Sequence, residues 1–167
     1  MERLLRADLG STSDIRVTSA GVNAVVGAPI PALMASLVAK AGADPDGFVA
    51  RQLTEQMIRD ADLVLALTKG HRSQIVSLHP GAVRHAFTLR ELARLASAVD
   101  PAAIPSGSHA TRLAALLPLA AAQRGRRPSE PGEDDVVDPY GGDAALYERS
   151  FGELHPAVRA IARLVRG

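Results

Sequence analysis

The side chains best placed to do chemistry lie close together in one stretch, Asp134-Asp135-Val136-Val137-Asp138-Pro139-Tyr140-Gly141-Gly142. Pro139 disfavours the helical region for Asp138 and stiffens the loop, and a stiff loop can hold the Asp138 carboxyl out towards a partner. Tyr140 offers a flat apolar face beside that carboxyl, and the two glycines allow the backbone to turn sharply. Taken alone, the same residues also fit an ordinary acidic turn that caps the C-terminal helix.

Other reactive side chains are few. The 167 residues include no cysteine, which excludes disulfides, thiolate metal sites and cysteine nucleophiles within them. The five histidines show no metal-ligand spacing, and the glycines around Gly21 and Gly27 do not form a dinucleotide fingerprint. We therefore expect no metal site and no cofactor.

Composition narrows the class of protein. A chain of 167 residues fits a single domain, and its 47% hydrophobic but only 3% aromatic content predicts a core of Leu, Val, Ile and Ala. The net charge of +1 gives no electrostatic reason to expect a nucleic acid or a membrane as partner. No apolar run approaches the roughly 20 residues needed to cross a bilayer, and the charged first residues do not resemble a signal peptide. These features predict a cytoplasmic protein.

Strand and helix patterns alternate along the chain. The apolar run 63–67, bounded by polar residues, is typical of a parallel strand buried on both faces. The alternation predicts an α/β protein with a parallel sheet. We expect Leu33, Leu37 and Val38 to be buried, and Pro156 to kink or restart the last helix. The predicted strands are 15–18, 63–67 and 83–87; the predicted helices are 1–9, 31–41, 54–60, 69–78, 89–98, 110–123 and 144–165.

The segment at about 99–135 departs from this alternation. It begins with prolines, continues into an Ala/Leu-rich helix, and then carries an arginine cluster followed by acidic residues. We interpret it as an insertion into the single domain 1–167, made of a surface helix and a mobile, charge-segregated loop. The arginine cluster is too short to indicate nucleic-acid binding.

The order of several short motifs resembles that of the low-molecular-weight protein tyrosine phosphatases. Each motif is weak alone, but the ordered set is specific, and it covers most of the chain outside 99–135. The resemblance implies a flavodoxin-like, three-layer fold in which the first strand and the phosphate loop are missing. The motifs are Val17-Thr18-Ser19-Ala20-Gly21, Gly27-Ala28-Pro29, Arg51-Gln52-Leu53-Thr54, Ala61 to Thr68, His71-Arg72, Phe87-Thr88-Leu89-Arg90-Glu91-Leu92 and Asp138-Pro139-Tyr140-Gly141-Gly142.

The resemblance also implies roles for individual residues. Asp138 matches the family's general acid, which protonates the leaving phenolate, and Tyr140 matches an aromatic position that flanks the substrate ring. Gly141 stands where some members have a second aromatic residue. Ser19 matches a position beside the phosphate loop, for which we expect a structural role. The implied substrate is a phosphotyrosine protein or a small aryl phosphate.

The family's catalytic loop, of the form Cys, five residues, Arg, does not occur in this sequence. In the family its thiolate attacks phosphorus and its backbone N–H groups hold the phosphate. One hypothesis is therefore a phosphatase whose recorded start lies too far downstream. The alternative is a non-catalytic binding or regulatory relative, or a gene remnant. In a flavodoxin-like order the first strand is central, so we expect the strands at 15 and 63 either to pair directly or to remain open.

Overall fold

Seven α-helices and two short β-strands form the described chain, which comprises residues 1–167 of a computed structural model. Short 3₁₀ turns lie at Pro80–Arg84 and Pro101–Ala103. In chain order the helices and strands are α1 (Glu2–Leu9), α2 (Ala32–Lys40), α3 (Glu55–Arg59), β1 (Val64–Ala66), α4 (Lys69–Leu78), β2 (Ala86–Thr88), α5 (Leu89–Ala96), α6 (His109–Ala122) and α7 (Ala144–Arg166). All seven predicted helices are confirmed, with ends shifted by one or two residues.

The two strands form a parallel pair connected through α4, so the predicted parallel α/β arrangement is confirmed. Leu65 lies opposite Phe87 in the register. The third predicted strand, 83–87, was placed too early, because Pro80 starts a 3₁₀ turn that extends to Arg84. β2 begins only at Ala86, and all three of its residues are buried.

The segment before Gly21 carries a strand pattern without strand pairing. Ile15, Val17 and Ser19 are half-buried and the residues between them are exposed, which is the period-2 pattern of a strand. Residues 14–20 nevertheless make no backbone–backbone hydrogen bond, and only a single parallel bridge follows, from Gly21 to Gln52. The prediction of a paired strand at 15–18 is therefore wrong. This segment and β1 do not pair with each other.

The main hydrophobic core lies around α7, which packs against α1, α2, α5 and α6. Leu92 and Val158 are completely buried where α5 meets α7. α7 runs without interruption through Pro156, so the helix does not restart there. Leu33 is 44% exposed, contrary to the buried stripe predicted for α2, whereas Val38 is 3% exposed. The short α2 turns only one narrow face toward α7.

No helix of the structure is both long enough and apolar enough to cross a bilayer. The cytoplasmic location stays a prediction. So does the interpretation of 99–135 as an insertion with a mobile loop, although the helix predicted within it is present as α6.

Candidate functional site

The Asp138 loop is fastened to the carboxyl ends of both strands. The hydroxyl of Thr88, the last residue of β2, donates to the carbonyl oxygen of Asp134 at 2.8 Å. The Val136 N–H donates to the carbonyl oxygen of Leu67, just after β1, also at 2.8 Å. In open α/β sheets, ligands bind outside the carboxyl ends of the strands, so the loop lies where a site is expected.

Asp135 connects the same loop to the first turn of α4. Its Oδ1 atom accepts a hydrogen bond from the backbone N–H of Lys69 at 2.7 Å, and its carbonyl oxygen accepts one from Arg90 Nη1, also at 2.7 Å. The Asp135 carboxylate satisfies a helix N-terminal N–H that has no partner within the helix, and it lies at the positive end of the helix dipole. Thr68 caps the same helix by accepting from the His71 N–H at 3.0 Å.

Asp134 forms the strongest attachment of the loop. Its carboxylate, 3% exposed, takes two hydrogen bonds from Arg94 of α5, at 3.1 Å to Nε and 3.0 Å to Nη2. Lys69 Nζ lies 3.7 Å away. Burial alone raises the pKa of the Asp134 carboxyl, but the Arg94 guanidinium outweighs burial and holds that pKa below its ordinary value. The Arg94 pKa is raised in turn, chiefly by the same hydrogen bond.

Asp138 itself is exposed, and its Oδ1 atom accepts a hydrogen bond from the Tyr140 N–H at 3.0 Å. This bond closes a local turn of the kind that Asp side chains favour. The turn continues through Gly141, whose φ of +73° is a conformation that suits glycine. Asp143, not Asp138, caps α7 by accepting from the Leu146 N–H at 2.9 Å. Asp138 thus lies in an acidic turn, as the alternative interpretation expects, but the cap of α7 comes from the neighbouring Asp143 and the Asp138 carboxyl stays exposed.

A cleft of about 490 Å³ opens beside this loop, and Asp138 is part of its wall. Tyr140 is not among the lining residues; it projects into solvent with 72% of its surface exposed. The structure thus places the two predicted site residues on one turn but brings only Asp138 to the cleft.

The charge balance of this cleft is negative. Its charged lining consists of two arginines, Arg90 and Arg149, against four carboxylates. Arg149 is paired with a carboxylate, since its Nε donates to Glu153 Oε1 at 3.0 Å, whereas Arg90 donates through Nη1 to the neutral carbonyl oxygen of Asp135. The carboxylates are Glu133, Asp135, Asp138 and Glu153. The cleft can donate or accept a proton, but its carboxylates outnumber its guanidinium groups by four to two.

Glu153 supports the loop from α7. Its Oε2 atom accepts a hydrogen bond from the Val137 N–H at 2.8 Å. Burial raises the pKa of Glu153, but the Val137 N–H and Arg149 together hold it below the ordinary value. Glu153 is therefore ionised at neutral pH and serves as an acceptor for the backbone. Nowhere in the chain do three His, Asp or Glu side chains gather closely enough to hold a metal ion.

Sequence reasoning missed most of these supports. The Arg94–Asp134 pair joins residues 40 apart, and neither residue type nor spacing marks it in the sequence. One local signal is Glu91, three residues after Thr88, which is typical of a capping box and forms one at the start of α5. Ser19 donates a hydrogen bond to Glu2, which agrees with the structural role expected for it.

Comparison with known proteins identifies the family. The profile described as low molecular weight phosphotyrosine protein phosphatase matches residues 1–103. The chain belongs to this family. The matched range includes both strands and ends before Asp134, so it does not extend to the Asp138 loop.

Individual relatives agree with this assignment. The low-molecular-weight protein-tyrosine-phosphatase Etp of Escherichia coli strain K12 is 38% identical over 79 residues, which cover 47% of this chain and 51% of Etp. The protein-arginine-phosphatase of Bacillus subtilis is 29% identical over 119 residues, 71% of this chain and 55% of that protein. This chain spans about half the length of these curated relatives.

Solved structures show the same fold over nearly the whole chain. The Erwinia amylovora tyrosine phosphatase AmsI superposes with a TM-score of 0.67 at 22% identity, covering 97% of this chain and 80% of AmsI. The YwlE arginine phosphatase of Geobacillus stearothermophilus gives a TM-score of 0.67 at 24% identity, with 99% and 82% covered. The expected flavodoxin-like α/β fold is therefore confirmed, including the region that carries Asp138.

Proposed function

We propose that this chain carries the acid half of a low-molecular-weight phosphatase site, with Asp138 as general acid and Tyr140 beside the substrate's leaving group. The observation that carries the proposal is the position of Asp138, exposed at a cleft outside the carboxyl ends of parallel strands. The hydrogen bonds from Thr88, Val136 and Lys69 hold the preceding residues in place, as a catalytic carboxyl requires.

The reaction that we assign to a complete site is hydrolysis of a phosphate monoester through a phosphocysteine. A thiolate would attack phosphorus while Asp138 gives its proton to the leaving oxygen, and the same carboxylate would then take a proton from the attacking water. Relatives that share this fold include tyrosine and arginine phosphatases. We propose a phosphotyrosine protein or a small aryl phosphate as substrate, because Tyr140 is an exposed ring next to the acid.

We further propose that the 167 residues do not catalyse this reaction by themselves. They contain no cysteine to act as nucleophile. Their cleft also has an excess of carboxylates, which disfavours binding of a dianionic phosphate. In the role of general acid, Asp138 assists a nucleophile and does not itself attack phosphorus.

Hydrolysis of 4-nitrophenyl phosphate by the purified chain tests this proposal, with Asp138→Ala and Asp143→Ala compared side by side. We expect all three proteins to show only the background rate. Turnover that is lost in Asp138→Ala and kept in Asp143→Ala would show a working site with a nucleophile other than cysteine. Turnover that is unaffected by Asp138→Ala would contradict the role given to Asp138.

A further inference from the structure

A second cleft, also of about 490 Å³, lies beside α1 and shares no residue with the cleft at Asp138. Its walls come from one face of α1, from the segment that follows this helix, and from Asp44. The charge balance is the reverse of that at Asp138, since three arginines face a single carboxylate. The arginines are Arg3, Arg6 and Arg16.

The Arg6 side chain is held by hydrogen bonds within the chain. Its Nε and Nη2 atoms donate to the carbonyl oxygen of Val17 at 2.9 and 2.6 Å, and Nη2 also pairs with Glu2 at 2.8 Å. These bonds hold α1 against the segment at 15–17, so the two walls of the cleft have a fixed separation. Arg6 thus shapes the cleft and contributes its charge.

The side chains of Arg3 and Arg16 have no such partners. Neither side chain makes a hydrogen bond or a salt bridge to another residue of the chain. The Nε atom of Arg3 is buried without a partner, although a buried donor that stays unpaired is rare and costly. Arg16 is exposed and keeps all its donors free. Asp44, the only acid in the cleft, uses one carboxylate oxygen to accept the Asp46 N–H at 2.8 Å.

We propose that this cleft binds a phosphate-bearing anion through Arg3 and Arg16. Guanidinium groups present planar donors that match the oxygens of a phosphate, and the bonds are charge-assisted. A bound phosphate would accept hydrogen bonds from the guanidinium groups that line the cleft and would offset the excess positive charge. The Ser11 hydroxyl, which also lines the cleft, adds a neutral donor. This inference does not depend on the role proposed for Asp138.

NMR titration with inorganic phosphate at constant ionic strength tests the proposal, with the arginine Nε–H signals as the readout. We expect saturable shifts of the Arg3 and Arg16 signals. Arg3→Gln and Arg16→Gln should each weaken binding about tenfold, as expected for the loss of a charge-assisted hydrogen bond. Arg159→Gln is the matched control, because the Arg159 side chain is exposed, makes no hydrogen bond or salt bridge, and lies outside the cleft. It should bind phosphate as the parent chain does.

The bound anion could be free phosphate or a phosphorylated side chain of another protein. The same titration with a phosphoserine tripeptide distinguishes these two sources. Tighter binding of the peptide identifies a phosphorylated chain as ligand, and equal or weaker binding identifies free phosphate. Shifts without saturation, an equal loss of affinity in Arg159→Gln, or shifts centred on Thr68 and Arg90 would each overturn the proposal. If Arg3→Gln fails to fold, the exposed Arg16 still gives a decisive variant.

Discussion

The Arg94–Asp134 pair is expected to be the largest single polar contribution to the stability of the Asp138 loop. Arg94→Met keeps the length of the side chain but leaves the Asp134 carboxylate, 3% exposed, without its guanidinium. Removing one partner of a buried ion pair costs about 3–5 kcal/mol. Arg94 is 22% exposed and Lys69 stands 3.7 Å from Asp134, so the lower end applies. We expect a loss of about 3 kcal/mol in the free energy of unfolding.

Urea unfolding followed by circular dichroism measures this loss, and a double-mutant cycle isolates the pair. Asp134→Leu combined with Arg94→Met should cost less than the sum of the single changes, by about 2 kcal/mol. Arg159→Met, an exposed arginine without a partner, controls for loss of charge and should change the free energy by less than about 0.5 kcal/mol.

The pH dependence gives a second test of the same pair. In the folded protein the pKa of Asp134 is held below its ordinary value. The pair therefore stabilises the fold fully at pH values above the ordinary pKa. This stabilisation is lost as the pH falls through the folded pKa. In Arg94→Met burial dominates and raises the pKa of Asp134, so the carboxyl can be protonated in mild acid. The difference between the two proteins should therefore be smaller at about pH 4 than at pH 7. An equal difference at both pH values, or a loss below about 1 kcal/mol at pH 7, would refute the reasoning.

Two further predictions concern stability. Thr88→Val removes both the cap of α5 and the hydrogen bond to the Asp134 carbonyl, so we expect a loss of about 2 kcal/mol by urea unfolding; Thr88→Ser keeps both bonds and should recover most of it. In the chain as given, burial lowers the pKa of the Met1 amine to about 6, so the unfolded state binds more protons between pH 6 and 8. Stability should therefore rise by roughly 2 kcal/mol across that range, and N-terminal acetylation should abolish this rise. If the free energy of unfolding rises equally with and without acetylation, the Met1 amine is not its cause and the histidines are.

The sequence predicted helices well because their signals are local. Thr68 and Thr88 are of a residue type that favours helix N-termini, and each caps the helix that follows it. Strands were harder to predict, because a β-strand forms only when its backbone hydrogen-bonds to another strand, which can be distant in the sequence. Ile15 and Val17 show the alternating pattern yet find no backbone partner.

In the candidate site, too, the features within one short segment could be predicted, and the contacts between distant segments could not. Asp138 and Tyr140 were found because a motif of adjacent residues carries them. Arg94, which secures the loop, lies 40 residues before its partner Asp134. In the sequence, Asp134 is one of several acidic residues in a segment expected to be a mobile loop. In the structure it is buried and paired with Arg94. Only the folded chain brings these two residues together.

The most direct test of the central claim is phosphoryl transfer to the chain itself. The purified protein is mixed with an aryl phosphate, quenched, and examined by intact-mass spectrometry for a bound phosphoryl group. Because the 167 residues contain no cysteine, we predict an unmodified mass at every time point. A phosphorylated chain whose formation depends on Asp138 would contradict the account, since it would show that these residues hold a nucleophile of their own.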